Sequence, residues 1–493
     1  MSKSPYIVTL DIGTSSVRAM LYDSAGEPVP GFSEVEQHRV IATPDGGNEL
    51  EADGILERSV RCLERLCRRE DFPAGEVAGV AGCTFWHSLV VVDGDSGEPL
   101  TPVYLWGDTR SREAIPLLRA KLDQDSFHAR TGCFFHTSYL PAKIAWLFEN
   151  NPEYKRSSVK LMSMAEYLFF KLFGQRVASY SMASGSGLMD QGRLAWDREV
   201  LEALSVDVDQ LSLLVDKDEP ITGLLPDYAA RLPELANVPW FPPVGDGAAD
   251  NIGSGCNSPR DVALMIGTSG ATRVVATDPL PDAPDGIWFY RVDGKRYVVG
   301  GSLSNGGNVL QWLAQLVGKT SLEEYIPRLQ ELAPDSHGLT VLPFLAGERC
   351  PGWNPYATGA VIGLRMHTSD VQIMRAACEA VAYRFALIHE LMKEFLPADY
   401  RVISTGGGLH RYPFWNQIIA DVLNRPVALS DTREASSRGA ALLALESLGF
   451  LNDVSVVRPK VKEVYEPGAD NYRVYQAGLE RHRRFYDLVK SFV

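Results

Sequence analysis

The sequence contains the same short pattern twice, about half the chain length apart. A strand-like apolar run leads into Gly-Thr-Ser-Ser at 13–16, and a second apolar run follows. The pattern recurs around Gly-Thr-Ser-Gly at 267–270, with Met265 in the place that Asp11 holds in the first copy. Two such runs joined by a glycine-containing turn predict a β-hairpin. A repeat of half the chain predicts two similar domains facing each other, because solenoid repeats are much shorter.

The length and the alternation of elements support two α/β domains. The 493 residues exceed what a single hydrophobic core usually holds. Helical periodicity at 56–68, 372–395 and 437–448 alternates with strand-like runs, which is typical of α/β proteins. Gly, Ser, Asn and Pro cluster at 253–259, a composition that favours a loop. We therefore expect domains at 1–253 and 254–493.

The composition excludes several classes of function. The formal net charge of −14 repels the phosphates of nucleic acids and of anionic membranes. No stretch has the roughly 18 uninterrupted apolar residues of a membrane span. The 7 cysteines form no CxxC pair and are expected to be reduced, buried thiols. We expect a cytoplasmic protein whose partner is a small molecule, with no nucleic acid and no membrane. The sequence leaves open whether the chain forms a homodimer.

Three glycine-containing turns indicate a site for a polyphosphate. The two Gly-Thr-Ser turns and Gly406-Gly407-Gly408 each follow a strand-like run. Such turns expose backbone N–H groups and hydroxyls that can surround phosphate oxygens. One turn alone is also what an ordinary hairpin needs, so the repetition carries the inference. The chain has neither a complete P-loop nor a strand-borne GxGxxG, which argues against the usual nucleotide-binding motifs.

Two aspartates are candidates for the chemistry. Asp11 follows the first strand beside a phosphate turn, where its carboxylate would be repelled unless a cation such as Mg²⁺ lay between them. Asp246 and Asp250 flank a segment that is poor in charge, and one of them is a candidate base. The structural alternatives are a turn residue for Asp11 and a helix cap for Asp246.

Two further clusters combine aromatic rings with polar groups. Trp86 precedes His87, and Trp106 is followed by Asp108 and Arg110. A ring beside hydrogen-bonding groups is suited to binding the hydroxyls of a polyol. The alternative for each cluster is packing in the core.

Together these motifs resemble those of the FGGY carbohydrate kinases, over about residues 6–448. The segment 11–18 resembles the family's first phosphate motif, and 245–250 resembles the segment that carries its catalytic aspartate. The second phosphate motif, a signature of the second domain and the adenosine motif are matched by 266–270, 359–379 and 406–416. The resemblance implies two actin-like (ribonuclease H-like) ATPase domains flanking a catalytic cleft.

The resemblance also implies ATP and Mg²⁺ as cofactors and a role for each motif residue. Asp246 would accept the proton of the acceptor's terminal hydroxyl, and Asp11 would hold the metal. The phosphates would be bound by Thr14, Ser15, Ser16, Arg18, Gly267, Thr268 and Ser269. The nucleotide pocket would be lined by Gly307, Asn308, Gly406, Gly407, Gly408 and Asn416. The acceptor would be contacted by Trp86, His87, Asp108, Arg110 and Asp246.

Within the family, 180–190 and 300–308 are similar to gluconokinases. The expected reaction is therefore phosphorylation of a terminal hydroxyl of a sugar acid, D-gluconate to 6-phosphogluconate. Xylulokinases share 343–349, so a xylulokinase or another pentulose or polyol kinase is the alternative. Trp86 replaces a methionine that is usual in the family, and Leu140 replaces a small residue. An actin- or chaperone-like ATPase is the alternative from another class, but the acceptor clusters would have no purpose there.

Overall fold

The computed structural model describes residues 5–278, 280, 282, 285–318 and 322–490. The outermost ends of the two expected domains, 1–4 and 491–493, lie outside the described residues. The strands before residue 254 are β1 (Tyr6–Ile12), β2 (Ser16–Tyr22), β3 (Pro28–Gln37), β4 (Ile41–Ala42), β5 (Asn48–Leu50), β6 (Val77–Thr84), β7 (Val90–Asp93), β8 (Val103–Tyr104), β9 (Val159–Met162), β10 (Val177–Ser179), β11 (Met189–Asp190), β12 (Ala195–Trp196), β13 (Leu213–Val215) and β14 (Val244–Gly245). The later strands are β15 (Asp261–Ile266), β16 (Gly270–Thr277), β17 (Trp288–Arg291), β18 (Arg296–Leu303), β19 (Thr340–Leu342), β20 (Ala360–Ile362), β21 (Arg401–Thr405), β22 (Val427–Ser430) and β23 (Val461–Tyr465).

The helices surround these sheets and also pass between them. The α-helices are α1 (Ala52–Cys67), α2 (Ile115–Lys121), α3 (Gln124–Thr131), α4 (Leu140–Asn150), α5 (Met164–Phe173), α6 (Tyr180–Ser184), α7 (Arg198–Leu204), α8 (Pro226–Arg231), α9 (Asp246–Gly253), α10 (Gly307–Leu316), α11 (Ile326–Glu331), α12 (Asp370–Leu391), α13 (Gly407–Arg411), α14 (Phe414–Leu423), α15 (Ala435–Ser447) and α16 (Ala469–Lys490). Short 3₁₀ helices span Ala74–Glu76, Arg110–Ala114, Pro152–Lys155, Val208–Gln210, Lys393–Phe395 and Val454–Val456. No helix of the described chain is both long and apolar enough to cross a membrane.

The central sheets of the two domains repeat the same strand order and directions. In the five-stranded sheet β14-β6-β1-β2-β3, β1 is antiparallel to β2 and parallel to β6. In the seven-stranded sheet, β22-β21-β15-β16-β18 repeats this arrangement, and β23 and β17 extend its two edges. Asp11 pairs with Cys83 on β6, and Met265 pairs with Thr405 on β21. Asp11 and Met265 therefore occupy equivalent positions, as the duplicated pattern predicts.

Helices α9 and α15, which follow the equivalent strands β14 and β22, cross between the two sheets. A Cβ atom on Gly253 would overlap the carbonyl oxygen of Ala435, and one on Gly439 would overlap that of Ala249. Glycine at these two positions is therefore what allows the backbones to approach so closely. Helix α15 also packs on β1 and β6 of the first domain, while α9 contacts β16 of the second. Each domain thus packs against a helix of the other domain.

Most predicted elements are confirmed, with differences at their ends. The helices predicted at 56–68 and 437–448 are α1 and α15. The helix predicted at 372–395 begins earlier, because Ser369 and Gln372 form a capping box, and its α-helical part ends at Leu391. The cysteines are all free and buried, as predicted. The segment 253–259 lies between α9 and β15, and the domain boundary within it stays a prediction.

Candidate active site

Asp11 and Asp246 lie at the carboxyl ends of strands in one sheet. Asp11 on β1 pairs with Cys83 on β6, and Cys83 pairs in turn with Val244 on β14. Adjacent strands are about 4.8 Å apart, and Asp246 begins α9 two residues after Val244. Parallel strands thus bring both carboxylates to the edge at which α/β sheets usually bind ligands.

Both carboxylates have raised pKa values. Burial raises the pKa of Asp246 to about 7 against the attraction of Arg273, and the charge of Asp11 raises it further. Burial likewise raises the pKa of Asp11 to about 6, against the attraction of Arg18, whose Nη1 lies 4.0 Å from Oδ2 of Asp11. A carboxylate with a pKa near neutrality is suited to accepting a proton during turnover.

The neighbouring Asp250 is neutralised by an ion pair, whereas Asp246 is not. Arg273 on β16 donates to Asp250 at 2.8 Å and to the side-chain oxygen of Asn251 at 3.1 Å. Asp246 accepts a backbone N–H bond from Gly247 at 2.7 Å and makes no ion pair within the described chain. Of the two aspartates that flank the charge-poor segment, Asp246 is therefore the one available as a base.

The first Gly-Thr-Ser turn closes the β1–β2 hairpin. The N–H of Gly13 donates to the carbonyl of Ser16 at 2.9 Å, and Ser15 at the tip is exposed. Arg18, on the strand that leaves the turn, forms an ion pair with Glu434 of the second domain. The turn therefore lies on the cleft side of the first domain, next to Asp11.

The second Gly-Thr-Ser turn is bonded to the start of α10. The N–H groups of Gly307 and Asn308 donate to the carbonyls of Gly267 and Thr268 at 2.9 and 3.1 Å. The side-chain oxygen of Asn308 accepts from the N–H of Gly306 at 2.9 Å. These bonds fix the predicted phosphate turn to the predicted nucleotide-binding residues in a single backbone unit.

The triple glycine lies against the same turn. Gly406 and Gly408 approach the carbonyl of Ile266 so closely that a Cβ on either would clash, and Gly406 has a φ of 86°. No atom lies within 4 Å of the Cβ position of Gly407, so this glycine faces open space. The turn at 267–270, the start of α10 and the triple glycine thus form one backbone-lined floor.

Asn416 lies behind this floor. Its Nδ2 donates to the carbonyls of Leu409 and Pro413 at 3.1 and 3.3 Å, and the residue is fully buried. Its Oδ1 has no hydrogen-bond partner within the described chain. The side chain therefore connects α13 to α14, and its predicted contact with the nucleotide stays a prediction.

Trp86 packs directly against the segment that carries Asp246. A Cβ on Gly245 would overlap its indole ring, and its Nε1 donates to the carbonyl of Ser181 at 2.8 Å. Trp288 and Tyr290 on β17 stack at 4.2 Å and present edges to Trp86, with ring centroids at 6.3 and 5.1 Å. One wall of the acceptor side is therefore aromatic and is built by both domains.

His87 is held neutral, with one ring nitrogen available. It has a φ of 61°, and its Nδ1 lies 2.6 Å from the carbonyl oxygen of Gly185, so Nδ1–H is the donor. Burial lowers the pKa of His87 to about 3, which leaves Nε2 as a hydrogen-bond acceptor. The ring meets Tyr139 and Tyr290 edge-on at 5.0 and 5.6 Å. This geometry suits a bond from a substrate hydroxyl.

Asp108 and Arg110 are bonded to each other. Arg110 donates to Asp108 from Nε at 3.1 Å and from Nη2 at 2.5 Å, and it pairs with Glu49 at 2.5 Å. Its guanidinium also lies over the rings of Tyr104 and Trp146, at 5.0 and 5.2 Å. Two carboxylates and two rings already surround this arginine. Substrate binding by Asp108 and Arg110 stays a prediction.

Several residues on the acceptor side were missed by the sequence reasoning. They include Trp288 and Tyr290, whose alternation on one strand was a signal that could have identified them. Tyr139, whose hydroxyl is 2.6 Å from that of Tyr290, and His136 lie in a loop without a recognisable pattern. Arg349, whose guanidinium lies 4.9 Å from the ring centroid of Trp106, comes from the other domain. Only the folded chain brings it to this side.

Comparisons with known proteins identify the family and the fold. The N-terminal and C-terminal domain models of the FGGY family of carbohydrate kinases match residues 6–253 and 262–448. A gluconokinase of Bacillus subtilis (strain 168) is 29% identical over 485 residues, which cover 95% of this chain and 93% of that protein. A xylulose kinase of Lactococcus lactis subsp. lactis (strain IL1403) is 27% identical over 457 residues, 92% of this chain and 90% of that protein. The structure of a ligand-bound xylulose kinase from Lactobacillus acidophilus superposes with a TM-score of 0.90 at 25% identity, covering 99% and 98% of the two chains. The predicted two-domain fold is confirmed.

Proposed function

The chain belongs to the FGGY family of carbohydrate kinases, which transfer a phosphoryl group from ATP to an alcohol, and we propose that its acceptor is D-gluconate. The product would be 6-phosphogluconate. The similarity to a gluconokinase over 95% of the chain supports this substrate. The observation that carries the proposal is the positive charge on the acceptor side of the cleft.

Arg110 on this side is paired with Asp108 and Glu49, but three other basic residues make no such pair. Lys143 is 1% exposed, and its Nζ donates to two backbone carbonyls at 2.6 and 2.7 Å. Burial lowers the pKa of Lys143 to about 7, against the attraction of Asp108, so a carboxylate bound nearby would favour its charged form. Neither Lys143 nor Arg349 nor Arg112 makes an ion pair with a described carboxylate. Burial lowers the pKa of both His87 and His136 to about 3, and the charges of Lys143 and Arg349 lower both values further. A sugar acid would neutralise this charge, whereas a neutral pentulose would leave these buried or half-buried groups without a counter-charge.

Asp246 is the proposed general base. Its carboxylate would accept the proton of the terminal hydroxyl as that oxygen attacks the γ-phosphorus of ATP. Arg273 pairs with Asp250 and not with Asp246, and the N–H of Gly247 bonds to Oδ1 of Asp246, so Oδ2 is the oxygen proposed to take the proton. His87, through Nε2, and the wall of Trp86 would orient the acceptor chain so that its terminal carbon lies next to Asp246.

The carboxylates also fit a hard divalent cation. The charges of Asp11 and Asp250 raise the pKa of Asp246, so a cation between the carboxylates and the phosphates would relieve repulsion. We propose that Asp11 holds Mg²⁺, which when bound neutralises the charge of the polyphosphate.

The two hairpin turns are the proposed phosphate sites. The residues proposed to bind the phosphates are Thr14, Ser15, Ser16 and Arg18 on the first domain and Gly267, Thr268 and Ser269 on the second. The N–H of Gly267 already donates to the carbonyl of Ser269 at 2.9 Å, so Thr268 and Ser269 would supply the donors of the second turn and Gly267 its shape. The open face of Gly407, with Gly406, Gly408 and the start of α10 at Gly307 and Asn308, would receive the nucleotide. Backbone N–H groups suit this role because they bind phosphate oxygens without side-chain bulk.

A xylulokinase is the second candidate. It is favoured by the aromatic wall of Trp86, Trp288 and Tyr290, which carries no charge, and by the similarity to a xylulose kinase over 92% of the chain. Such a wall would bind an uncharged ketose as readily as a sugar acid.

A panel of acceptors tests the proposal. We expect kcat/KM for D-gluconate to exceed, by at least about tenfold, the values for D-xylulose, L-ribulose, glycerol and L-fuculose, because one charge-assisted contact is worth about 1.5–3 kcal/mol. Preference for an uncharged sugar by tenfold or more would make the gluconate assignment wrong and leave the kinase family intact. ATP turnover that no acceptor stimulates would support the actin- or chaperone-like alternative.

A further inference from the structure

Arg349 makes only one side-chain hydrogen bond within the described chain. Its Nη2 donates to the carbonyl of Leu303 at 3.2 Å, while its Nε is buried without a hydrogen-bond partner in the described chain. The guanidinium carbon lies over the ring of Trp106, 4.9 Å from its centroid, and Arg349 makes no ion pair with a described acid. Burial lowers the pKa of Arg349. Most of the five N–H groups of this half-buried guanidinium are therefore available to a ligand, and leaving the buried Nε–H without a partner is costly.

Arg112 repeats this pattern from the first domain. Its guanidinium lies 5.0 Å from the ring centroid of Tyr356, and its Nε is buried without a partner among the residues that the structure describes. Arg110, two positions earlier, contrasts with it because Asp108 and Glu49 already neutralise its charge. Of the two arginines in this short helix, the one that the sequence motif did not single out has the free donors.

Both arginines and Lys143 act on the same histidine. His136 is 6% exposed, and its Nδ1 accepts the N–H of Ser138 at 3.1 Å, which leaves its Nε2–H as a donor. The charges of Arg349, Lys143 and Arg112 each lower the pKa of His136. Contacts of the loop that carries Arg349 also bring these groups together. The carbonyl of Arg349 accepts the N–H of Trp353 at 2.6 Å, the ring of Trp353 lies 5.5 Å from that of His136, and Tyr356 of the same loop contacts Arg112. The basic side chains and the donor imidazole therefore cluster around this loop.

This group of cations adjoins the acceptor pocket. The ring of His136 lies 5.5 Å from that of Trp353, and Trp353 lies 5.7 Å from Tyr139. Tyr139 is in turn 5.0 Å from His87, the residue proposed to bind a hydroxyl. The continuous row of rings links the cations to the part of the pocket that contains Trp86 and Asp246.

We propose that Arg349, with Arg112 and the Nε2–H of His136, forms a carboxylate subsite at the end of the acceptor pocket remote from Asp246. This inference rests on the proposed function, in which the acceptor is a sugar acid. The planar fork of an arginine matches a carboxylate with two parallel N–H bonds, which a lysine cannot reproduce. Arg349 would thus distinguish acids from neutral sugars, and Arg110 would only support the pocket wall.

The test compares two acceptors in several variants. Arg349→Met removes the charge and keeps a long side chain against Trp106. We expect it to lower kcat/KM for D-gluconate about 100-fold relative to kcat/KM for D-xylulose, and Arg112→Met to lower this ratio about tenfold. Arg349→Lys should give an intermediate loss, because the charge remains and the fork is lost. Arg260→Met, at an exposed arginine paired with Asp399, is the matched control and should leave the ratio unchanged.

The outcomes separate the subsite from the substrate assignment. If the wild-type enzyme prefers gluconate but Arg349→Met and Arg349→Lys lower kcat/KM equally for D-gluconate and D-xylulose, the subsite is wrong and the proposed function stands. A wild-type preference for D-xylulose overturns both. Thermal unfolding is measured for each variant. If Arg349→Met does not fold, Arg349→Lys and Arg112→Met decide the question by the same ratio. A loss in the ratio for Arg110→Met that exceeds the loss for Arg349→Lys would reassign the carboxylate to Arg110.

Discussion

Asp246 and Asp11 are carboxylates whose ionisation the folded state opposes. Their pKa values rise from 3.8 to about 7 and about 6, chiefly because both are buried. Between pH 3.8 and about 6 to 7, the folded chain binds more protons at these two carboxylates than the unfolded chain does. The two groups therefore favour folding at low pH. That contribution is lost as the pH rises through about 6 to 7. The charges that serve the proposed reaction therefore reduce stability at neutral pH.

The Asp246→Asn variant should lose activity and gain stability together. Without the base, we expect kcat to fall by about 10² to 10⁴ while the affinity for ATP changes little. Because the variant no longer buries an unpaired charge, we expect its melting temperature at pH 8 to rise by about 2 °C or more, with a smaller rise at pH 5. Steady-state kinetics and thermal unfolding at the two pH values measure both effects.

Asp216→Asn is the matched control for this experiment. Burial also raises the pKa of Asp216, but this carboxylate accepts backbone N–H bonds from Lys217 and Gly294 and belongs to none of the proposed sites. Its variant should keep wild-type kcat. Wild-type turnover in Asp246→Asn would remove Asp246 from the mechanism.

Site residues that belong to a sequence motif could be predicted from the sequence. Site residues that only tertiary contacts bring to the cleft could not. Asp246 could be predicted because the segment 245–250 matches a known motif and contains little other charge. The free donors of Arg349 and Arg112 could not be predicted, since they depend on which carboxylates come near after folding. Arg110, the arginine that the motif predicted to contact the acceptor, is already paired with Asp108 and Glu49 in the structure.

The two hairpins are similar elements with different chemistry. Asp11 and Met265 occupy equivalent positions on β1 and β15. The two hairpins therefore have the same backbone arrangement, but only the first has a carboxylate at this position. If Asp11 holds Mg²⁺, Asp11→Ala should raise the Mg²⁺ concentration needed for half-maximal activity by about tenfold or more. Met265→Leu keeps the volume and should change only packing, by less than about 1.5 kcal/mol. Titrating Mg²⁺ at saturating ATP measures this concentration. An equal rise in the Asp11→Ala and Met265→Leu variants would contradict the assignment of Mg²⁺ to Asp11.

The crossing of α9 and α15 should be intolerant of any side chain. Gly439→Ala places a methyl group on the backbone of Ala249, and a backbone carbonyl cannot yield as a flexible side chain could. Overpacking of this kind costs about 1–3 kcal/mol, so we expect a fall in melting temperature of about 2 °C or more. Gly75→Ala is the control, because no atom lies within 4 Å of its Cβ position. An unchanged melting temperature for Gly439→Ala would mean that the helices separate at little cost.

At the level of elements, periodicity identified helices and hairpins better than it identified sheet edges. The long helices α12 and α15 have many apolar residues at helical spacing, and both were predicted within a few residues of their ends. Strand β17 was missed, although it forms an edge of the second sheet and provides the wall at Trp288 and Tyr290. Four residues are too few for a clear alternation, and the pairing with β18 that stabilises them is a tertiary contact.

The whole molecule is joined near the crossing helices by polar contacts between the domains. Arg438 on α15 donates to the carbonyls of Gly26 and Gly253 at 2.9 and 2.6 Å and pairs with Glu27 at 2.9 Å. Lys217 similarly pairs with Glu446 at 3.1 Å. These bonds are buried or half-buried and hold the two domains together at the crossing helices. We therefore expect the domains to rotate about this crossing rather than to separate.

Ligand binding should make the whole molecule more compact. One phosphate turn, at 13–16, belongs to the first domain and the other, at 267–270, to the second, so both can bind one polyphosphate only if the domains close over it. Closure would also exclude water, which competes with the sugar as an acceptor. We expect small-angle scattering to give a smaller radius of gyration with D-gluconate and a nonhydrolysable ATP analogue together than with no ligand. Each ligand alone is the control and should give a smaller change, because neither fills both sides of the cleft. An unchanged radius under saturating concentrations of both ligands would show that the cleft is rigid and that the two turns do not act on the same phosphate chain.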